Sequence, residues 1–202
     1  MNAGRVKRTA LRKQIRQLRA QIPAPYRQQA SYRISEQVAA LDVYRRAERV
    51  AGYLPFEGEA DPLPLMDRAI QDSKQVFVPQ IVKKGAPLQF ARWSRETAMR
   101  KNFFGIDEPD VPAEEWIGGP ELDLVLVPLV GFDEARNRIG VGGGYYDRTF
   151  SFLREKGLDD SSRPRLIGVA FELQKLSAIE TKPWDVPLDA VVTELTIYGQ
   201  QG

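Results

Sequence analysis

The sequence predicts an α/β protein with three α/β/α layers and a mostly parallel central sheet. Amphipathic helical segments alternate with short β-rich runs, the order expected when parallel strands are joined by helical crossovers. Residues 122–128 are almost continuously apolar, which favours a central strand covered on both faces. No internal repeat, low-complexity tract or Gly/Ser linker interrupts the 202 residues. Residues 1–202 are therefore predicted to form a single domain.

The first predicted element is a basic N-terminal helix over about residues 7–20. At 100° per residue, its apolar positions form one narrow stripe: Leu11, Ile15, Leu18 and Ile22. Three arginines lie on the flank of this stripe: Arg8, Arg12 and Arg19. A side chain on the flank can reach into the protein where the helix docks, so these arginines are candidates for an internal anionic site.

Two more helices and six strands follow. Pro25 lies near the first turn of a predicted helix over about 24–41, and Asp61-Pro62 supplies an N-cap and a first-turn residue for a helix reaching about Gln71. The β-rich runs cover residues 50–54, 75–79, 88–93, 122–128, 166–171 and 190–193. Ligands of parallel α/β sheets bind at the carboxyl ends of the strands, so the loops that follow these runs are expected to form the functional site.

The composition excludes several kinds of chemistry. The chain has no cysteine and no histidine. Disulfides, thiol nucleophiles, zinc fingers, imidazole bases and histidine-ligated metals are therefore impossible. An enzyme with this composition has to use carboxylates, arginine, lysine, hydroxyls, backbone amides and groups that its substrates bring.

The net charge of +2 hides an asymmetry. Residues 1–20 carry seven bases and no acid, so the remainder of the chain has a net charge of −5. Such a basic segment can bind nucleic acid, or it can bring cations to one anionic site inside the fold. No run approaches 18 apolar residues and no apolar signal segment opens the chain, so a cytoplasmic protein that neither spans nor binds a membrane is expected.

The strongest local signal is a glycine-rich segment after the predicted central strand. Glycines occupy positions 140, 142, 143 and 144, followed by Tyr-Tyr-Asp-Arg. Glycine permits unusual backbone angles and lets main-chain N–H groups approach an anion closely, and a helix beginning at Tyr145 would add to this, so the loop is a plausible phosphate cradle. The spacing matches neither a P-loop nor a dinucleotide fingerprint, and a turn needed only for packing is the alternative.

Acidic and aromatic side chains lie on other loops. Glu57, Glu59 and Asp61 follow the first strand and can hold a polar substrate, although Glu57 and Asp61 better fit a solvated turn and a helix cap. Asp185 can meet Asp147 across the site and help hold a divalent cation. Three further residues fit structural roles better: Asp189 as a strand-end acid, and Phe103 and Phe104 as core aromatics rather than a stacking surface.

Together these segments resemble the 5-formyltetrahydrofolate cyclo-ligase family, also called methenyltetrahydrofolate synthetase. The similarity covers nearly the whole chain in order, through residues 8–12, 59–61, 105–109, 132–148, 168–171 and 185–193. Its most specific part is Asn-Arg-Ile-Gly-Val-Gly-Gly-Gly-Tyr-Tyr-Asp-Arg, which ends at Arg148. The resemblance implies a three-layer α/β fold and an ATP- and Mg²⁺-dependent conversion of 5-formyltetrahydrofolate into 5,10-methenyltetrahydrofolate, releasing ADP and phosphate. It implies a monomer whose partners are small molecules and not nucleic acid or membrane.

The resemblance also implies a role for individual residues. The implied catalytic residues are Glu59, Arg138 and Tyr145. The implied ATP-binding residues are Arg8, Arg12, Arg138, Gly140, Gly142, Gly143, Gly144, Tyr146 and Asp147. The implied folate-binding residues are Leu54, Glu59, Val141, Gly142, Gly143, Gly144 and Tyr145. The implied Mg²⁺ ligands are Asp147 and Asp185. Two positions depart from the family pattern, since Arg8 stands where lysine is usual and Pro62 where threonine is frequent.

Three alternative functions are consistent with parts of the sequence. A nucleic-acid-binding protein could use the arginines of the first helix, but that segment lacks interleaved aromatic residues for base stacking. A related α/β protein could use the glycine-rich loop for a sugar phosphate or a thioester without hydrolysing a nucleotide. A protein that keeps the fold without activity is the third alternative.

Overall fold

The structure is a computed structural model that describes residues 3–102, 105–155, 159–160 and 163–199, with side chains from Arg8 onward. Phe103 and Phe104 lie outside the described residues.

Five α-helices are formed by the described part of the chain. They are α1 (Ala3–Ala20), α2 (Ala24–Ala39), α3 (Asp42–Arg46), α4 (Leu63–Gln71) and α5 (Tyr145–Thr149). The strands are β1 (Arg49–Ala51), β2 (Gln75–Gln80), β3 (Gln89–Arg92), β4 (Met99–Lys101), β5 (Asp107–Pro109), β6 (Leu124–Pro128), β7 (Gly131–Phe132), β8 (Arg138–Ile139), β9 (Arg165–Val169), β10 (Ala190–Val192) and β11 (Ile197–Gly199).

Seven of these strands form one sheet in the order β11-β10-β9-β6-β1-β2-β3. The five inner strands pair in parallel, with Val50 opposite Leu124 and Val125 opposite Leu166. The edge strands β3 and β11 pair antiparallel with their neighbours. The three-layer fold with a mostly parallel sheet is confirmed, and β6 occupies the central position predicted from its apolar run.

Alternating side chains of β6 explain why that strand is apolar throughout. Leu124 and Leu126 belong to a core cluster under α2, α3 and α4, whereas Val125 and Val127 belong to a second cluster on the opposite face that includes Phe150. Both faces of the central strand are therefore buried, as expected for a parallel sheet between helical layers. No helix among the described residues is long and apolar enough to cross a membrane.

The first helix forms, but its buried face differs from the predicted stripe. Ile15 and Ile22 are buried, whereas Leu18 is 44% exposed and Arg19 is only 2% exposed. The expectation that Leu18 contributes to the docking face is wrong. Arg19 takes the core position because its guanidinium group has polar partners in the loop after β1, which helical periodicity alone does not reveal.

Other boundaries are shifted by local geometry. The predicted helix over 24–41 ends at Ala39, because Leu41 adopts an extended conformation that buries its side chain before α3 begins. Pro62 occupies the N-cap position predicted for Asp61, and α4 begins one residue later than predicted, although Asp61 accepts a hydrogen bond from the N–H of Leu63 at 2.9 Å. Two hairpins, β4–β5 and β7–β8, and the edge strand β11 are absent from the sequence prediction because they are two or three residues long.

Candidate active site

A cavity of about 300 Å³ opens at the carboxyl ends of β1, β2 and β6. It brings together most of the residues predicted for catalysis and binding: Leu54, Glu59, Arg138, Gly140, Val141, Gly142, Gly144, Tyr145, Tyr146 and Asp147. Arg12 lines an adjoining groove along α1 that shares Val141 with the cavity. The site therefore lies where a parallel sheet places its ligands.

The glycine-rich loop connects β8 to α5 and bends sharply. Gly142 has a φ of 113° and Gly144 a φ of 64°, both in the region that side chains resist. Arg12 donates from Nε to the carbonyl of Gly140 at 2.8 Å, and a Cβ placed on Gly142 would lie 3.7 Å from the Arg12 guanidinium carbon. A cation of the first helix thus lies directly against the loop, as its flank position suggested.

Arg138 anchors the floor of the cavity. Its Nη2 donates to Asp147 Oδ1 at 2.6 Å, and its Nη1 donates to the carbonyl of Val186. The N–H of Val186 donates to the same Asp147 oxygen at 3.1 Å. Burial lowers the pKa of Arg138, while the charges of Asp147 and Asp185 oppose that shift. Arg138 is therefore a buried cation that ties β8 to α5 and to the turn before Val186.

Arg8 and Asp185 form a second ion pair at the rim. Arg8 Nη2 lies 2.8 Å from Asp185 Oδ2, which also accepts a hydrogen bond from the N–H of Lys182 at 2.9 Å. Arg8 additionally donates to the carbonyl of Glu180. The first helix is consequently tied to the turn that carries one of the two predicted metal ligands.

The two predicted metal ligands each keep one oxygen atom available. Within the described ranges, Asp147 Oδ2 and Asp185 Oδ1 accept no hydrogen bond. No group of three or more acidic side chains suited to a metal ion occurs among those residues. Mg²⁺ is usually held by one or two carboxylates with waters and substrate phosphates completing its shell, so a pair of carboxylates fits this ion.

Glu59 is a buried acid at the end of a tight turn. Its side chain is 8% exposed, and its Oε2 accepts a hydrogen bond from the N–H of Phe56 at 3.2 Å. Burial raises the pKa of Glu59, whereas the Phe56 N–H and the charge of Arg19 act in the opposite direction. The carboxylate therefore faces the cavity in a mostly apolar setting, where its charge interacts strongly with a ligand.

Two adjacent tyrosines line the cavity differently. The Arg148 guanidinium carbon lies 5.2 Å from the centroid of the Tyr145 ring. Tyr146 stacks on Phe150 with ring centroids 6.3 Å apart, and its hydroxyl is buried without a partner among the described residues. Burial raises the pKa of Tyr146. Its hydroxyl is therefore a neutral group available to a ligand in the cavity.

Several predicted site residues lie at the periphery. Val141 is exposed at the tip of the loop, and Gly143 accepts a hydrogen bond from Arg148 through its carbonyl. Glu57 is a solvated turn acid, 3.7 Å from Arg16. Asp189, expected to be a strand-end acid, accepts a hydrogen bond from the N–H of Leu166 at 2.8 Å and serves the sheet instead of the cavity.

The structure adds residues that the sequence prediction missed. Arg16, Tyr53 and Phe56 line the cavity. Arg16 follows Arg12 by one helical turn, so the helical spacing of the basic residues could have identified it. The other two flank the acidic loop and carry no signal beyond their aromatic character.

Comparisons with known proteins identify the family of this chain. The model of the "5-formyltetrahydrofolate cyclo-ligase family" matches residues 5–194. A protein of Haemophilus influenzae named 5-formyltetrahydrofolate cyclo-ligase is 33% identical, with 90% of this chain and 95% of that protein covered. The Escherichia coli K12 protein of the same name is 29% identical, over 91% of this chain and 98% of that protein.

Solved structures show the same relationship. The NMR structure of Aquifex aeolicus 5,10-methenyltetrahydrofolate synthetase superimposes with a TM-score of 0.78 at 28% identity, covering 95% of this chain and 92% of that one. A synthetase of that name from Mycoplasma pneumoniae has a TM-score of 0.69 at 23% identity, covers 93% of this chain and 98% of that one, and supports the fold. The chain is an enzyme that belongs to the 5-formyltetrahydrofolate cyclo-ligase family.

Proposed function

We propose that this chain catalyses the ATP-dependent cyclisation of 5-formyltetrahydrofolate to 5,10-methenyltetrahydrofolate, with release of ADP and phosphate. The observation that carries the proposal is that buried Glu59 and the glycine-rich loop line one cavity. An acid that can hold a polar nitrogen therefore lies in the same space as a loop that can hold phosphate. The shared name of the bacterial relatives supports this assignment.

The proposed chemistry needs neither a thiol nor an imidazole. The oxygen of the formyl group on N5 attacks the γ-phosphorus of ATP, and the bond to the leaving ADP breaks. The formyl carbon becomes electrophilic. N10 then attacks that carbon, the carbon–oxygen bond breaks, phosphate leaves, and the N10 hydrogen departs as a proton. ATP converts a poor leaving group into a good one, so the protein's task is positioning and charge neutralisation.

We assign the nucleotide to the loop and the cations around it. In this proposal Arg8, Arg12 and Arg138 neutralise phosphate charge. The backbone N–H groups of Gly140 and Gly142–144 approach the phosphates, next to Tyr146 and Asp147. The helix α5 has only five residues, so we assign phosphate binding to these arginines and amides and do not invoke the dipole of that helix. Arg8 and Arg12 both contact the fold, which supports a role at one anionic site over a nucleic-acid-binding arm.

The folate is assigned to the other side of the same cavity. Leu54 and Val141 supply apolar contacts. Gly142–144 and Tyr145 enclose the space where the two substrates meet. Glu59 accepts a hydrogen bond from N10–H and holds that nitrogen against the formyl carbon. In this proposal the catalytic residues are Glu59, Arg138 and Tyr145.

Magnesium is proposed as the metal that accompanies ATP. Asp147 Oδ2 and Asp185 Oδ1 are the two oxygens that would hold it. When bound, Mg²⁺ supplies charge neutralisation on the triphosphate. Arg8 and Arg138 hold the other oxygens of these carboxylates, at 2.8 Å and 2.6 Å, and so fix the orientation of both groups.

The direct test is formation of the methenyl product. Purified protein with 5-formyltetrahydrofolate, ATP and Mg²⁺ is expected to generate the near-ultraviolet absorbance of that product together with one ADP for each molecule formed. Well-folded, saturated protein that gives no absorbance would overturn the proposal. ADP release with a sugar phosphate or thioester and none with folate would favour the rival substrate classes. Monomeric state and cytoplasmic location stay predictions from the sequence.

A further inference from the structure

Arg19 of the first helix has no role in the proposed nucleotide site. Arg19 is 2% exposed, in line with the buried Ile15 and Ile22, whereas the neighbouring Leu18 is 44% exposed. Burying the leucine and exposing the arginine would suit stability better, because desolvating a guanidinium group costs free energy that an apolar side chain does not incur. The position of Arg19 therefore calls for a partner that requires a buried cation.

The side-chain hydrogen bond and the ion pair of Arg19 both lead to the turn that carries Glu59. Its Nη2 donates to the carbonyl of Glu57 at 3.1 Å, and its Nη1 lies 4.0 Å from Glu59 Oε1. Within the described ranges, Nε and Nη1 are buried and have no hydrogen-bond partner. A buried ion pair with unpaired donors adds little net stability. Stability by itself does not explain this pair.

The turn itself is held in an unfavourable backbone conformation. Glu57 has a φ of 48° and Gly58 a φ of 73°. Glu57 is not glycine, so its left-handed conformation persists only where surrounding contacts hold it. The hydrogen bond from Arg19 to the Glu57 carbonyl is one such contact. Arg19 thus acts on both the backbone and the carboxylate of the same turn.

The charged and titratable groups around Glu59 come from four segments. Arg19 and Arg16 face it from α1, Glu57 from its own turn, Tyr53 from the segment after β1, and Tyr146 from α5.

The Phe56 N–H and, among the charged side chains, the two arginines favour the ionised carboxylate. Burial of Glu59 raises its pKa, and Arg19 opposes that shift more strongly than Arg16 does. The side chain of Arg16 is 40% exposed and that of Arg19 is 2% exposed, so solvent and salt screen Arg19 much less.

We propose that Arg19 is a positioning residue that keeps Glu59 ionised and aimed into the cavity. The inference rests on the proposed function, because Arg19 is assigned to keep ionised and oriented the carboxylate that is proposed to bind the folate nitrogen. Arg19 itself touches neither reacting group. Its effect on the reaction passes through Glu59 alone.

The test is the pH profile of kcat/KM for the folate, whose acid limb reports ionisation of the free enzyme. Arg19→Gln removes the charge and keeps a donor for the Glu57 carbonyl, so the acid limb is expected to move upward by about one pH unit or more. Arg19→Lys keeps the charge, and the acid limb of its pH profile is expected to lie near that of the wild type. Arg33→Gln, an exposed arginine on α2, is the matched control and is expected to leave the profile unchanged.

Repeating the substitution in Glu59→Gln protein distinguishes a positioning role of Arg19 from a general structural defect. In Glu59→Gln protein no carboxylate is left to hold, so adding Arg19→Gln is expected to change kcat/KM less than twofold. An unshifted acid limb with an equal loss of activity at every pH, or a full further loss in the Glu59→Gln background, would overturn the inference. Arg19→Met, which leaves no unpaired donor, is expected to show the same upward shift and serves as the neutral variant if Arg19→Gln does not fold.

The inference can also be tested separately from the reaction. The infrared carboxyl band lost on Glu59→Gln substitution follows protonation of Glu59 without any turnover. That band is expected to titrate at higher pH in Arg19→Gln than in the wild type, and coincident titrations would contradict the proposal. A wild-type protein that makes no methenyl product while showing this shift would overturn the proposed function and leave the Arg19–Glu59 coupling standing.

Discussion

The two ends of the central sheet differ in how their charged side chains are paired. At the carboxyl end, two donor atoms of Arg19 have no partner in the part of the chain that the structure describes, and Arg19 lies 4.0 Å from Glu59. At the amino end, Asp189 accepts hydrogen bonds from Arg163 at 2.5 Å, from the N–H of Leu166 at 2.8 Å and from Arg165 at 3.5 Å. Arg19 thus keeps unpaired donors at one end, whereas Asp189 is paired within the protein at the other.

Asp123 likewise joins two strands next to the central strand. It precedes β6, and its Oδ2 accepts hydrogen bonds from the N–H groups of Glu48 and Arg49 at 2.8 and 2.7 Å. Carboxylates at this end therefore hold neighbouring strands together. The comparison predicts that substitutions at the carboxyl end change activity and that substitutions at the amino end change stability.

The largest expected effect is on catalysis at the carboxyl end. Glu59→Gln removes the negative charge of the acceptor proposed for N10–H, and we expect kcat to fall by about 100-fold or more while nucleotide binding is retained. Product absorbance and calorimetric titration of nucleotide measure the two quantities. Glu57→Gln, two residues away on the solvated side of the same turn, is the matched control and is expected to lose less than about threefold. Equal losses of turnover and nucleotide binding in Glu59→Gln would contradict the assignment.

The next effect is on stability at the amino end. Asp189→Ala leaves the Leu166 N–H without its acceptor and removes two of the hydrogen bonds that Arg163 donates, and we expect the free energy of unfolding to fall by about 2 kcal/mol. Urea unfolding measures this change, and kcat and KM are expected to match the wild type at temperatures where the variant is folded. Glu134→Gln, which removes an exposed partner of Lys175, is the control and is expected to keep the wild-type midpoint. A large change in KM for Asp189→Ala would break the division between the two ends.

A smaller effect is expected in the glycine-rich loop. Gly142 has a φ of 113°, so Gly142→Ala introduces backbone strain of about 1–2 kcal/mol into the loop proposed to hold phosphate. We expect about a tenfold loss in kcat/KM for ATP. Gly118→Ala is the control, because its φ is −84° and the new Cβ would lie 3.5 Å from Pro120, an ordinary contact distance. Unchanged ATP kinetics in Gly142→Ala would show that the loop conformation is not required.

The smallest effect concerns an exposed carboxylate at the amino end. Hydrogen bonds from Arg165 and Arg163 lower the pKa of Asp160 to about 2. Because the pKa is lowered in the folded protein, the contribution of Asp160 to stability is present above the ordinary aspartate range and is lost as the pH falls towards 2. An NMR titration of the carboxyl group is expected to show this midpoint. Asp160→Asn is expected to lower the melting temperature slightly at neutral pH, and a midpoint at the ordinary value would contradict the ion pairs.

Much of the fold and the site followed from local sequence patterns. The apolar run of β6 predicted the central strand because a strand buried on both faces needs apolar residues in succession. The segment from Arg138 to Asp147 predicted a glycine-rich loop followed by a short helix, and phosphate binding by that loop stays a prediction. The edge strand β11 and the hairpins escaped prediction, because two or three residues are too few to establish a strand periodicity.

The sequence by itself therefore determined the layer architecture, the family and the set of polar residues that can line the cavity. Tertiary structure alone decided which of them are buried and how they pair. Helical periodicity assigned Leu18 to the core, yet Arg19 is buried there, because its partners Glu57 and Glu59 lie some forty residues away on the loop after β1. Burial of a flank residue depends on what the rest of the chain places opposite it, and no local pattern contains that information.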